Sequence, residues 1–130
     1  MLKRIKKLLE DNILFLAIVA TIIVAILSLT SVPKINLGLQ IKSGDKILHI
    51  LAYFTLSFVW FLAMQERMNS FAEKGRLIAL LILYGIILEV LQGGITDYRT
   101  GDFYDVIANT IGVLLATLLI NKFIRWFKTL

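Results

Sequence analysis

The sequence contains no cysteine, and it has only one proline and one histidine among 130 residues. Without cysteine the chain can form no disulfide, no thiolate metal site and no cysteine nucleophile. Charged residues are also scarce, at 18% of the chain, whereas hydrophobic residues make up 58%. A soluble domain of this size needs more polar surface than this composition leaves, so the sequence predicts a membrane protein.

Four long apolar stretches, separated by short polar segments, account for nearly the whole chain. A helix that crosses a bilayer needs about 20 mainly apolar residues, so four such helices leave no room for a separate soluble domain. We therefore predict an all-α polytopic membrane protein, a bundle of about four transmembrane helices forming one domain, 1–130. The predicted helices span about 12–32, 46–64, 72–92 and 102–127.

Local signals mark the ends of these predicted helices. Pro33 stops the first helix, because proline cannot continue the hydrogen-bond ladder. Residues 43–45 offer an N-cap to the second helix, and Ser70 with Glu73 fits a capping box for the third. The pair 93–94, two glycines, is predicted to end that third helix. The first apolar run is longer than a signal-peptide core and lacks a cleavage signal, so it is predicted to be a retained helix.

Basic residues favour one side of the membrane. Short spans alternate in direction, so the N-terminal segment, the loop after the second helix and the C-terminal tail share that side. Ten basic residues lie there: Lys3, Arg4, Lys6, Lys7, Arg67, Lys74, Arg76, Lys122, Arg125 and Lys128. The other side has four: Lys34, Lys42, Lys46 and Arg99. This asymmetry predicts cytoplasmic N- and C-termini, and it explains the net charge of +5 without nucleic-acid binding.

Polar and ionisable residues within the spans gather at the opposite face, predicted to be the outer one. They come from the starts of the second and fourth helices and from the end of the third. Because such residues are costly in a membrane, their convergence on one layer predicts a site. The ligand-binding candidates are Asp45, Lys46, His49, Tyr53, Glu89, Gln92, Arg99, Asp102, Asp105 and Asn109.

The spacing of these residues places them on single helix faces. Asp45, His49 and Tyr53 follow one another at intervals of four, which is one stripe of a helix. On the fourth helix the polar stripe continues into small residues, which permit close helix approach. The predicted packing positions are Ala108, Gly112 and Ala116. This face is therefore predicted to contact other helices and not lipid.

In their order and spacing, the residues from Asp45 to Ala116 resemble the VanZ-like family of small bacterial membrane proteins. The match rests on Asp45-Lys46-Ile47-Leu48-His49 with Tyr53, on Glu89-Val90-Leu91-Gln92, and on Arg99, Asp105, Asn109 and Gly112. Where the family often repeats a glycine four residues after Gly112, this chain has Ala116. The resemblance implies a bacterial inner (plasma) membrane and a role at the cell envelope. The founding member is associated with low-level resistance to the glycopeptide teicoplanin.

Three functions are compatible with the polar layer. The layer could bind a lipid head group, a cell-wall precursor or a glycopeptide, with its cations attracting anionic groups. It could belong to a hydrolase or phosphatase-like enzyme acting on a lipid-linked phosphate, with His49, Glu89 and Asp105 as catalytic candidates and Lys46 and Arg99 as phosphate ligands. In the third hypothesis the layer only holds the helices together, with Lys46 and Arg99 neutralising Glu89 and Asp105.

The sequence gives little sign of a cofactor. No recognised metal-site motif is present, although His49, Glu89, Asp105 and Asn109 form a ligand set that a divalent cation would accept. The expected partners are the lipid bilayer and anionic lipid head groups or cell-wall precursors, with no nucleic acid.

Overall fold

The computed structural model describes residues 1–30, 44–95 and 103–130, without the side chains of Gly44, Asp45 and Ile95. These residues form four α-helices and no strand: α1 (Leu2–Leu29), α2 (Gly44–Ala63), α3 (Phe71–Ile95) and α4 (Phe103–Lys128). Each helix is long and apolar enough to cross a membrane. The predicted all-α bundle of four transmembrane helices is confirmed.

The first helix, α1, begins at Leu2 and not near residue 12 as predicted. The prediction followed the apolar run, but lysine, arginine, leucine and glutamate are also strong helix formers, so the charged segment continues the helix. Lys6 and Glu10 support this first part with an ion contact of 3.9 Å across one turn. The predicted stop at Pro33 lies outside the described residues, as does the predicted N-cap at Ser43.

The third helix, α3, begins with the predicted capping box. The Ser70 hydroxyl accepts a hydrogen bond from the Glu73 amide at 3.2 Å, and the Glu73 carboxylate accepts one from the Ser70 amide at 3.3 Å. At the other end the prediction is wrong, because the helix continues through Gly93 and Gly94 to Ile95. Two glycines cost about 2 kcal/mol in a helix, and tertiary contacts such as the hydrogen bond of Gln92 to α1 oppose that cost.

Helices α2 and α4 run in the same direction and pack against each other along their length. Lys46 contacts Asp105 near their starts, and the rings of Phe58 and Phe123 are 4.9 Å apart near their ends. Between them the chain returns through α3, which therefore runs the opposite way. The starts of α2 and α4 and the end of α3 consequently lie at one end of the bundle.

A close approach between α2 and α4 occurs at Gly112. A Cβ atom at this position would overlap the carbonyl oxygen of Ile50 and lie 2.9 Å from the amide nitrogen of Phe54. Ala108 and Ala116, one turn before and after it, are also buried. The small-residue stripe thus faces the bundle, where it lets two backbones come together.

Helix α1 is the most lipid-exposed helix, with Ala17 as its buried residue. Thr21, one turn later, attaches it to two neighbours. The Trp60 indole donates to the Thr21 hydroxyl at 2.9 Å, and the Tyr84 hydroxyl donates to the Thr21 carbonyl oxygen at 2.6 Å. Such bonds are worth about 0.6 kcal/mol each in a membrane. They therefore set the orientation of α1 against its neighbours but contribute little to its binding energy.

Candidate functional site

The polar end of the bundle is the end at which α2 and α4 begin and α3 ends. It carries Lys46 and His49 on α2, Glu89 and Gln92 on α3, and Asp105 and Asn109 on α4. The last four of these side chains are all buried, each at 6% exposure or less. Three segments that are distant in sequence therefore meet in one layer near the membrane surface.

Asp105 is the centre of this layer. Its Oδ1 accepts a hydrogen bond from Lys46 Nζ at 2.7 Å, and its Oδ2 lies 3.6 Å from His49 Nε2. The carboxylate is also in the first turn of α4, where the helix dipole favours a negative charge. Its side chain is 9% exposed, against 33% for Lys46, so the lysine forms the outer rim of the pair.

His49 lies between Asp105 and Asn109. Its Nδ1 is 2.9 Å from Asn109 Oδ1, so in this amide orientation both ring nitrogens face oxygen acceptors. A neutral imidazole donates from only one nitrogen. Nδ1 is within hydrogen-bond distance of the Asn109 oxygen, whereas 3.6 Å from Nε2 to the Asp105 carboxylate is too long for a hydrogen bond. The contact that orients the His49 ring is therefore the one with Asn109.

The Lys46 ammonium also lies beside an aromatic ring. It is 5.9 Å from the centroid of Tyr104, whose side chain is largely exposed. A cation over an aromatic face gains about 0.5–1 kcal/mol at an exposed site. Tyr104 and Asp105 thus hold the lysine head group from two sides at the membrane surface.

The two candidates on α3 have different surroundings. Gln92 donates from Nε2 to the carbonyl oxygen of Ser28 at 2.9 Å. That carbonyl belongs to the last turn of α1, where backbone acceptors lack partners within the helix. Gln92 therefore joins the ends of α1 and α3. Glu89, one turn earlier on α3, is buried at 6% exposure.

Below this layer, Tyr53 and Ser57 continue the His49 stripe deeper into the bundle. Both side chains are buried, and among the described residues neither hydroxyl has a hydrogen-bond partner. Gly85 gives Tyr53 its place, because a Cβ there would be 3.0 Å from the Tyr53 ring and 3.3 Å from the Asn109 amide nitrogen. Tyr53 thus lies buried beneath the polar layer and offers almost no surface to a ligand.

The described residues contain no group of three histidine, aspartate or glutamate side chains placed to share a metal ion. The Lys46 ammonium occupies the place beside Asp105 Oδ1 where a metal cation would bind. The arrangement is that of an ion pair with an adjacent imidazole.

Three candidate residues cannot be placed in this geometry. Arg99, Asp102 and the side chain of Asp45 lie outside what the structure describes. Conversely, sequence reasoning did not single out Ser57, Gly85 or Tyr104. Ser57 could have been found, because it lies four residues after Tyr53. The other two meet the site through helix packing, which leaves no pattern in the sequence.

An uncharacterized protein of Schizosaccharomyces pombe is 32% identical over 84 residues, which are 63% of this chain and 49% of that protein. The chain thus spans about half the length of that relative. No solved structure gives a significant match. The family model described as VanZ/LLP1 matches residues 4–125. Together with four membrane-spanning helices, this match shows that the chain is an integral membrane protein of the VanZ/LLP1 family.

Proposed function

We propose that this protein binds the anionic head group of a membrane amphiphile, a phosphorylated lipid or a lipid-linked cell-wall precursor, at the polar end of the bundle. The observation that carries the proposal is the position of Lys46. Its ammonium is fixed on the buried Asp105 at 2.7 Å, while a third of the side chain is exposed at the end of the membrane-spanning bundle. An anchored, accessible cation at the end of a membrane-spanning bundle suits a phosphate oxygen of a lipid head group.

Energetic considerations favour a ligand site over a purely structural layer. Placing a carboxylate within a membrane helix costs about 2.5–3.5 kcal/mol at mid-span and less towards the ends. Interhelical hydrogen bonds return about 0.6 kcal/mol each on average. Asp105 and Glu89 are both buried. Well-packed apolar side chains in place of such ionisable groups would hold the helices together at least as well. Retaining ionisable groups there is explained by a function that needs them.

We further propose that the polar end faces the outer leaflet of a bacterial plasma membrane, with both termini in the cytoplasm. This orientation rests on the ten-to-four distribution of basic residues. The absence of native cysteine makes it directly testable. Single cysteines at Lys42 and Asp97 should react with an impermeant thiol reagent in intact cells.

A cysteine at Asn69 is the matched control for this topology, because it lies between α2 and α3 on the opposite side. It should react only after the cells are permeabilised. Labelling at Asn69 in intact cells, with Lys42 and Asp97 protected, would reverse the orientation. Binding at the polar end would then concern the inner leaflet.

Head-group binding is tested with purified protein and dodecyl phosphate as the probe. The probe should raise the thermal melting temperature in neutral detergent more than dodecyl maltoside at the same concentration does. Lys46→Gln should raise the dodecyl phosphate concentration needed for the same increase in melting temperature roughly ten- to hundredfold. The reason is that a charge-assisted hydrogen bond contributes about 1.5–3 kcal/mol.

Lys74→Gln provides the matched control for that experiment. Lys74 also hydrogen-bonds a side chain, Asn121 at 3.4 Å, and lies 5.9 Å from an aromatic ring, that of Phe61, but at the other end of the bundle. Its replacement should leave the response to dodecyl phosphate unchanged. Equal losses in both variants would count against a site at Lys46.

A second candidate function, acid–base chemistry on the same head group, is favoured by one observation. His49 is oriented by Asn109 and lies 3.6 Å from Asp105, which is how a general acid or base is positioned. If the protein hydrolyses a lipid phosphate, inorganic phosphate should accumulate in reconstituted samples and His49→Gln should stop it. If the parent protein binds the lipid phosphate but releases no inorganic phosphate, the hydrolytic function is excluded and head-group binding alone is supported.

A further inference from the structure

The opposite end of the bundle has a different chemistry. There α1 and α4 carry exposed basic residues, at Lys3, Arg4, Lys7, Lys122, Arg125 and Lys128. Among the described residues, no hydrogen bond or ion pair holds their head groups. We call this the basic end, and it lies about the whole length of α2 and α4 away from Lys46.

Helix α1 is longer than a bilayer crossing requires. Its 28 residues span about 42 Å at 1.5 Å per residue, against a hydrocarbon thickness of about 30 Å. All of its charged residues precede Asn12, so the surplus length lies at the basic end. Exposed apolar side chains, Leu2, Ile5 and Leu8, alternate there with the basic ones. The start of α1 therefore lies in the interfacial layer of the membrane.

A crevice runs between the start of α1 and the ends of α2 and α4. Its floor is apolar, formed by Leu9 and Ile13 of α1, Leu62 of α2 and Phe123 and Phe127 of α4. At its rim the Lys6 ammonium lies 5.3 Å from the centroid of the Phe127 ring. The crevice thus combines an apolar surface with a cation at its rim.

We propose that this crevice seats an anionic phospholipid, with an acyl chain on the apolar floor and the phosphate between Lys6 and Lys3. The two lysines are three residues apart and share one face of α1. Basic pockets between transmembrane helices are recognised sites for anionic head groups. The proposal concerns the basic end and is independent of head-group binding at Lys46.

Charge complementarity selects this occupant. Glu10 also lies at the crevice, 3.9 Å from Lys6, and Asp11 follows it in the chain. The start of α1 nevertheless keeps a positive net charge, because its four basic residues, Lys3, Arg4, Lys6 and Lys7, outnumber these two carboxylates. A second copy of the chain would bring the same positive charge to the rim and be repelled. A phospholipid with a negative head group supplies both the hydrocarbon and the charge.

The test is native mass spectrometry of the full chain released from nanodiscs that contain equal amounts of phosphatidylglycerol and phosphatidylcholine. The parent protein should retain one phosphatidylglycerol in preference to phosphatidylcholine. The double variant Lys3→Gln/Lys6→Gln should lower that preference roughly tenfold, since each basic residue near a membrane surface contributes appreciably to anionic-lipid binding. Leu9→Trp, which fills the floor without changing charge, should lower retention of both lipids.

The matched control, Arg76→Gln/Lys122→Gln, removes two exposed charges from the same end outside the crevice. It should keep the phosphatidylglycerol preference. Equal retention of the two lipids by the parent protein would overturn the proposal. So would equal losses in the two double variants, because the preference would then come from overall charge. Melting temperatures in detergent verify that each variant is folded.

Discussion

Gly112→Val should push α2 away from α4 and destabilise the protein by about 3 kcal/mol or more. The reason is that the new side chain would meet backbone, namely the Ile50 carbonyl oxygen and the Phe54 amide nitrogen, and neither can rotate aside. The polar contacts of Lys46 and His49 with α4 lie across the same interface. The response to dodecyl phosphate should therefore disappear together with the stability.

Gly75→Val is the matched control, because it makes the same change within a helix where a Cβ would meet no atom within 4 Å. It should leave the melting temperature unchanged or slightly higher, since valine is a better helix former than glycine. Both variants are compared by thermal melting in detergent and by the amount inserted in membranes. A Gly112→Val protein as stable as the Gly75→Val protein would show that α2 and α4 do not pack closely at this point.

Lys46→Met should be the second large effect, at about 3–5 kcal/mol, because it leaves a buried carboxylate without its ammonium. The Asp105 side chain is only 9% exposed, so water can hydrate little of the carboxylate. Asp105→Leu should cost less, since the long Lys46 side chain, already a third exposed, can turn its head group to the membrane surface. The measurement is unfolding free energy in mixed micelles for both single variants.

The double variant Lys46→Met/Asp105→Leu separates structure from function. An apolar pair that replaces a buried ion pair is often neutral or stabilising, so its stability should return to within about 1 kcal/mol of the parent. Its response to dodecyl phosphate should remain lost. If recovery of stability also restored the response, Lys46 would not be the group that meets the ligand. If the cost of the double change were the sum of the single costs, the two side chains would not be coupled.

Features that depend on neighbouring residues were accessible from the sequence. The capping box at Ser70 and Glu73 joins groups three residues apart, and its pattern is sufficient to predict it. The number of helices follows from hydropathy, because a bilayer fixes the length of each apolar run. The same reasoning misplaced the start of α1, since hydropathy marks where a helix enters lipid and not where its hydrogen bonds begin. It also predicted wrongly that Gly93 and Gly94 end α3, which continues to Ile95.

The composition of the polar layer could be anticipated, whereas its contacts could not. A helical period of 3.6 shows that Asp105 and Asn109 share a face, but it does not give the rotation of α4 about its axis or its rise against α2. The sequence left both Lys46 and Arg99 as cations for Asp105 and Glu89. In the described residues Lys46 is the one on Asp105, 59 positions away.

The sequence by itself determined that this is a four-helix membrane protein whose costly polar groups collect at one end and whose basic groups collect at the other. Burial in lipid is decided residue by residue, so composition and periodicity are enough. Only the tertiary structure decided which groups meet. The parallel packing of α2 and α4, held at close range by Gly112, sets the register in which Asp105 receives Lys46 and His49 lies against Asn109. That register depends on backbone atoms more than 50 residues apart, and no local pattern in the chain specifies it.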